Sequence, residues 1–334
     1  MSSISFAHGQ ISASRSGTTR GSIVRRSLPA ALTLLLMLGI TAYSFYRRDL
    51  NAARAAASSG SAMLATACGH IEYAIGGTGS PVLSIHGTGG GFDQGLFIAR
   101  GLEERGFQVI APSRYGYLRT PMPQHPTAVR EADMFACLLD SLHLQRVAVI
   151  AASAGATPAL QFALRYPERV SRLILLVPAI GGISAPDTNA LVSPFIMNVV
   201  LGSDFPFWAA MKVWPKASLT VVAVPESLVP SLTPHGRQTL EEATRMILPV
   251  SWRRKGILYD ANNQSHERPY PLERITVPTL LVSTQDDLYK TLANARVAAS
   301  RIPNARLIEF QSGGHLMLDQ DAELWPAVAE FIRR

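Results

Sequence analysis

Six short, largely apolar runs, spaced along the chain after residue 80, constrain the fold more than any other feature. They are "PVLSIHG" (81 to 87), "FQVIAPS" (107 to 113), "RVAVIAA" (146 to 152), "RLILLVP" (172 to 178), "TLLVST" (279 to 284) and "ARLIEFQ" (305 to 311). Their apolar residues are continuous rather than alternating, the pattern of strands buried on both faces. Longer segments of helical character, such as "ADMFACLLDSLHL" and "TPALQFALRYPERV", lie between them. The expected class is therefore α/β, a mostly parallel sheet flanked by helices. No internal repeat is visible. The strand rhythm breaks between about Gly181 and Arg274, where prolines gather with Phe195, Phe205, Phe207, Trp208, Trp214 and Trp252. That interval reads as an inserted, largely helical lid.

Charge is unevenly placed. The net charge is +7, yet the first 54 residues hold seven arginines against one acid, Asp49. The rest of the chain is almost neutral, so no nucleic-acid surface is expected on the body. The basic region surrounds nineteen uncharged, mostly apolar residues from Leu28 to Tyr46. As a helix they reach about 28 Å, one hydrocarbon core. Arg25 and Arg26 flank one end, Arg47 and Arg48 the other, and Tyr43 and Tyr46 suit the membrane interface. The expected organisation is a basic tail (1–27), a single-pass anchor (28–46), an Ala- and Ser-rich stalk (47–63) and a catalytic body (64–334). The slight arginine excess before the span favours a body outside the cytoplasm. A cleaved signal peptide with a secreted or periplasmic product is the alternative, although bulky "YSFYRRDL" follows the apolar run where a cut site needs small residues. A transit peptide fits less well, since a uniformly apolar run is not amphipathic. Cys68 and Cys137 are too few for a disulfide framework and lack metal-ligand spacing, and Cys137 falls among Phe135, Leu138 and Leu139, so both are expected as free core thiols.

In an open parallel sheet, ligands bind beyond the carboxyl ends of the strands. Ser153 follows the 146 to 152 run and precedes a helical segment, with Ala151 and Gly155 two residues away on either side. Small residues at those offsets suit a sharp strand-to-helix turn that pushes a serine oxygen outward. Plain tight packing produces the same pattern, so partners decide. A serine hydroxyl needs a base to take its proton, and the base needs an orienting carboxylate. His315 lies in "SGGHL" after the last run, and Asp286 and Asp287 lie in "QDD" after the 279 to 284 run. "HGTGGG" (86 to 91) follows the first run, where a glycine-rich backbone can aim N–H groups at a developing oxyanion.

Through "HGTGGG", "APSRYGYLRTP", "AASAGA", "VSTQDD" and "SGGHL", in this order, the chain resembles the α/β-hydrolase superfamily over roughly residues 70 to 334. The resemblance implies Ser153 as nucleophile, His315 as general base and then acid, an aspartate at 286 or 287, backbone N–H donors at Thr88 and Ala154, and no cofactor or metal. The superfamily's usual spacings, nine residues after Pro278 and sixteen before Pro303, favour Asp287, with Asp286 as the alternative acid. One position departs from the usual pattern: alanine stands at 151 where glycine is more usual. A serine at the elbow argues against the members that use an aspartate there.

The expected activity is hydrolysis of a carboxylic ester or related acyl bond in a small molecule with an apolar part. A carbon–carbon bond hydrolase is the alternative enzyme, suggested by the extra glycines of "HGTGGG"; a membrane-tethered binding protein is the non-enzymatic one. His86 is expected to be structural, and His70, His125, His143, His235 and His266 to be surface or loop residues. Arg114 either orders the loop near the site or is solvated. Arg253, Arg254 and Lys255 read as a solvated helix face, and the lid aromatics chiefly as packing.

Overall fold

The computed structural model describes residues 20–180, 201–266 and 270–334. In chain order the elements are α1 (Arg20–Ser58), β1 (Ala62–Thr66), β2 (Gly69–Gly76), β3 (Ser80–Ile85), α2 (Phe92–Glu103), β4 (Phe107–Pro112), α3 (Ala128–Ser141), β5 (Val147–Ala152), α4 (Ala156–Arg165), β6 (Val170–Leu176), α5 (Asp204–Val213), α6 (Pro215–Val221), α7 (Pro234–Arg245), α8 (Arg254–His266), β7 (Thr279–Thr284), α9 (Thr291–Arg301), β8 (Ala305–Phe310) and α10 (Asp321–Arg333).

One sheet of eight strands runs in the order β1-β2-β4-β3-β5-β6-β7-β8. The six strands from β3 onward pair in parallel, while β1–β2 and β2–β4 are antiparallel. Each of the six apolar runs forms a strand. The first two strands, outermost at one end of the sheet, have no such run, because many of their residues are exposed. Successive residues of the inner strands serve opposite cores. Leu83, Val149, Leu173 and Leu281 pack with α3, α4 and α9, whereas Val82, Ile150, Ile174 and Val282 pack with α2 and α10. Continuous apolar sequence is the consequence of two covered faces. The chain places β4 on one side of β3 and β5 on the other, so the crevice of this topological switch opens beyond the ends of β3 and β5.

Between β6 and β7 the described residues form α5 to α8 over a third apolar cluster containing Phe207, Val224, Leu240 and Ile257. Of the aromatics expected in this interval, Phe207 and Trp208 are buried and Trp214 is exposed. Phe195 lies outside the described residues, as does all of 181–200.

The chain divides into two units, one ending at Arg48 and the other starting at Asp49. Within α1, Pro29–Ser58 is long and apolar enough to cross a membrane, and Leu32, Leu35, Leu36 and Ile40 are exposed. Of the expected stalk, residues to Ser58 are helical. Leu50 and Ala57 are buried, and Asp49 accepts a hydrogen bond from Trp208 Nε1 at 3.0 Å.

The cysteines are not free. Cys68 and Cys137 form a disulfide that ties the turn between β1 and β2 to α3. The apolar neighbours of Cys137 along its helix suggest a core thiol; the half-buried residue instead meets a turn far away in sequence, which no local pattern reveals.

Candidate active site

Ser153 begins a single helical turn directly after β5 and is half-buried. Its φ is 51°, a left-handed conformation that a non-glycine residue adopts only when its surroundings enforce it. Two contacts do so. The Ser153 carbonyl accepts from Ala179 N at 3.1 Å, beyond the end of β6. On the other side, a Cβ at Gly155 would lie 2.6 Å from His86 O and 2.7 Å from Ile85 O, so only glycine lets the turn press this closely on the end of β3. A Cβ at Gly87 would likewise stand 3.0 Å from Ser153 Cβ, which sets the glycine-rich loop directly against the serine. The N–H of Ala154 belongs to the first turn of the helix, where intrahelical acceptors are lacking.

His315 and the two acids converge from the ends of β8 and β7. His315 Nδ1 lies 3.0 Å from Asp287 Oδ2. Asp287 is 4% exposed, and it also accepts from Tyr289 N at 2.9 Å and from the Thr291 hydroxyl. Burial alone raises the pKa of this carboxyl, but the charge and hydrogen bond of His315, with the Thr291 and Tyr289 bonds, outweigh it and hold the group below its ordinary value. Asp286 does different work. Its carboxylate accepts from Gly313 N at 3.2 Å and Gly314 N at 2.8 Å, bracing the loop that carries His315. Both glycines have positive φ, 132° and 60°, which gives the loop its sharp return. Tyr289 packs edge-on to the His315 ring, centroids 4.9 Å apart; burial, with the Asp287 charge, pushes its phenol up to about 12.

Loop 86–91 rests on a buried polar network. Arg114 N donates to His86 Nε2 at 3.0 Å, which requires that nitrogen to be unprotonated, and Nδ1 sits 2.7 Å from Gly87 O. Burial and the Arg114 charge depress the His86 pKa despite that carbonyl. His86 is thus a fixed neutral hydrogen-bonding residue. Arg114 is buried, pairing with Asp260 at 2.7 Å and Glu131 at 3.1 Å. Burial opposes its charge, yet these carboxylates more than compensate and raise its pKa. Thr88, whose side chain is exposed, donates from Oγ1 to Asp260 Oδ2 at 3.0 Å.

Arg253 corrects another expectation. Only Arg254 and Lys255 are solvated; Arg253 is fully buried and donates to Gly90 O at 2.6 Å and Asp93 Oδ2 at 2.6 Å. A run of three cations looks like a solvated face, but a helix start directs its first member inward. Asp260, Glu131, Tyr117, Thr291 and Tyr289 have no role assigned by the sequence pattern. Tyr117 lies within "APSRYGYLRTP" without a distinguishing signal, Tyr289 and Thr291 bond the nearby Asp287, and Asp260 and Glu131 meet Arg114 only through folding.

Residues 80–322 match the model of the alpha/beta hydrolase fold. The uncharacterized hydrolase YcgS of Bacillus subtilis (strain 168) is 28% identical over 264 residues, spanning 75% of this chain and 89% of that protein. The 2-hydroxymuconate semialdehyde hydrolase of Pseudomonas putida is 28% identical over 266 residues, 76% of this chain and 87% of its own length. Among solved structures, a thermophilic esterase from Thermogutta terrifontis superposes with a TM-score of 0.63 at 23% identity, covering 82% of this chain and 98% of that one. At that identity the likeness speaks for the fold.

Proposed function

The chain belongs to the alpha/beta hydrolase fold family, and from that premise we propose that it is a serine hydrolase cleaving a carboxylic ester or related acyl bond of a small molecule. Ser153 Oγ attacks the carbonyl carbon while His315 Nε2 takes its proton. The N–H groups of Thr88 and Ala154 stabilise the tetrahedral oxyanion, and Asp287 holds the imidazolium through Nδ1–H. His315 then protonates the leaving alcohol, and water repeats the sequence on the acyl-enzyme. The observation that carries this reading is the pair His315 Nδ1–Asp287 Oδ2 at 3.0 Å, on the loops after β8 and β7, with Ser153 held at φ 51° after the parallel strand β5 of the same sheet. We read α5 to α8 as the lid that shapes the acyl or alcohol pocket.

One relative's name favours a second reading, hydrolysis of a carbon–carbon bond by the same residues. Labelling of the purified protein with a fluorophosphonate, alongside p-nitrophenyl esters of increasing chain length, separates the two. Stoichiometric labelling at Ser153 with ester turnover is expected. Labelling without ester turnover, combined with cleavage of 2-hydroxymuconate semialdehyde, would transfer the activity to the second reading.

We further read residues 28–46, within α1, as a single-pass anchor with the body outside the cytoplasm. The exposed leucines of Pro29–Ser58 support the span, and the Cys68–Cys137 disulfide suits an oxidising compartment. Full-length protein is expected to stay with membranes through high-salt and carbonate washes, whereas a chain starting at Asp49 is expected to be soluble. A mature N-terminus found beyond Tyr46 would identify a cleaved signal peptide instead.

A further inference from the structure

The segment between β6 and β7 reaches back to the glycine-rich loop and holds it at Thr88 and Gly90, while Tyr117, from the loop after β4, holds Gly89 between them. Thr88 Oγ1 donates to Asp260 Oδ2 at 3.0 Å, and Gly89 N donates to Tyr117 OH at 3.4 Å. Gly90 O accepts from Arg253 Nη1 at 2.6 Å. Asp260 is itself immobilised: Arg114 donates Nη1 to Oδ2 at 3.0 Å and Nη2 to Oδ1 at 2.7 Å, and Tyr117 OH donates to Oδ2 at 2.6 Å. Asp260, Arg114, Arg253 and Tyr117 are all buried. A forked guanidinium–carboxylate pair that is also hydrogen-bonded by a phenol has one geometry. Set against an apolar core of the same volume, such a pair adds little stability; what it supplies here is a fixed anchor for the glycine-rich loop. Turning the Thr88 peptide would pull its hydroxyl off that anchor.

We propose that Asp260 is a positioning residue: by holding the Thr88 side chain it fixes the direction of the Thr88 N–H toward the acyl oxygen above Ser153. The inserted segment then completes the oxyanion site as well as covering it. This rests on the reading of the chain as a serine hydrolase with Thr88 as a donor.

The test compares Thr88→Val, which keeps the shape and removes the hydroxyl, with Thr88→Ser, which keeps the hydroxyl. In full-length protein, Thr88→Val is expected to lower kcat for a p-nitrophenyl ester by at least about tenfold, with KM within about twofold, because the donor acts on the transition state. Its melting temperature should match the parent's, since the side chain is exposed. Thr88→Ser should recover most of the rate. Asp260→Asn should be slow as well, and the double variant no slower than the worse single one, as for two ends of one interaction. Parental kcat in Thr88→Val, or Thr88→Ser as slow as Thr88→Val, overturns the proposal. If Asp260→Asn does not fold, the two Thr88 variants decide alone. A parent that neither labels nor turns over esters overturns the hydrolase reading and this proposal with it; an active parent with an unaffected Thr88→Val overturns only this one.

Discussion

Replacing Ser153 with alanine is expected to lower kcat by about 10⁶-fold, the loss seen when the nucleophile of a triad is removed. That is about 8 kcal/mol of transition-state stabilisation, so no binding or solvent effect of one hydroxyl accounts for it. The fold should be untouched, because alanine fills the same space and meets the same backbone constraints. The conformation at this position adds a second arm. At φ 51° a side chain is strained, a cost of about 1–3 kcal/mol that glycine does not bear. Ser153→Gly should therefore melt at or above the Ser153→Ala temperature while being equally inactive. Steady-state ester hydrolysis with calorimetry on the same preparations checks both. Appreciable turnover by either variant would remove Ser153 from the mechanism, and a lower melting point for the glycine variant would contradict the strain.

The second large effect separates the neighbouring acids. Asp287→Asn is expected to reduce kcat by about 10⁴-fold while the protein stays folded, because the amide leaves the imidazole without its charged partner and favours the wrong tautomer. Asp286→Asn should cost far less in rate. Its carboxylate accepts from Gly313 N and Gly314 N and has no bond to the ring, and an Asn oxygen still accepts one of those bonds. Loss there should show first as a lower melting temperature of the His315 loop region, followed by hydrogen exchange at Gly313 and Gly314. Both variants should be measured on one ester. A larger rate loss at 286 would exchange their roles, and small losses at both would exclude a triad that works through either acid.

The six largely apolar strands β3 to β8 and the residues stationed at their ends were legible from sequence alone, because both are local properties of the chain. A strand covered on two faces must be continuously apolar, and Val82 and Leu83 serve opposite cores as that requires. A residue meant for the crevice must follow such a strand, which singled out Ser153, Asp286, Asp287, His315 and the loop "HGTGGG"; Thr88 within that loop came from the family resemblance. β1 and β2, the two outermost strands at one end of the sheet, were illegible for the converse reason: their mixture of exposed and buried residues leaves no continuous apolar run. What tertiary structure alone decided were the pairings between distant segments. Spacing could favour Asp287 over Asp286, but which carboxylate meets the ring depends on how two loops approach, and the 3.0 Å bond to His315 Nδ1 belongs to Asp287. Cys68 meets Cys137 across 69 residues. Arg253 leaves a run of cations to bind Asp93, and Asp260, without any motif around it, joins Arg114, Tyr117 and Thr88. Local sequence encodes which face of an element is covered and where it stops. A hydrogen bond or disulfide across the fold depends on the packed arrangement of elements whose order in the sheet differs from their order in the chain.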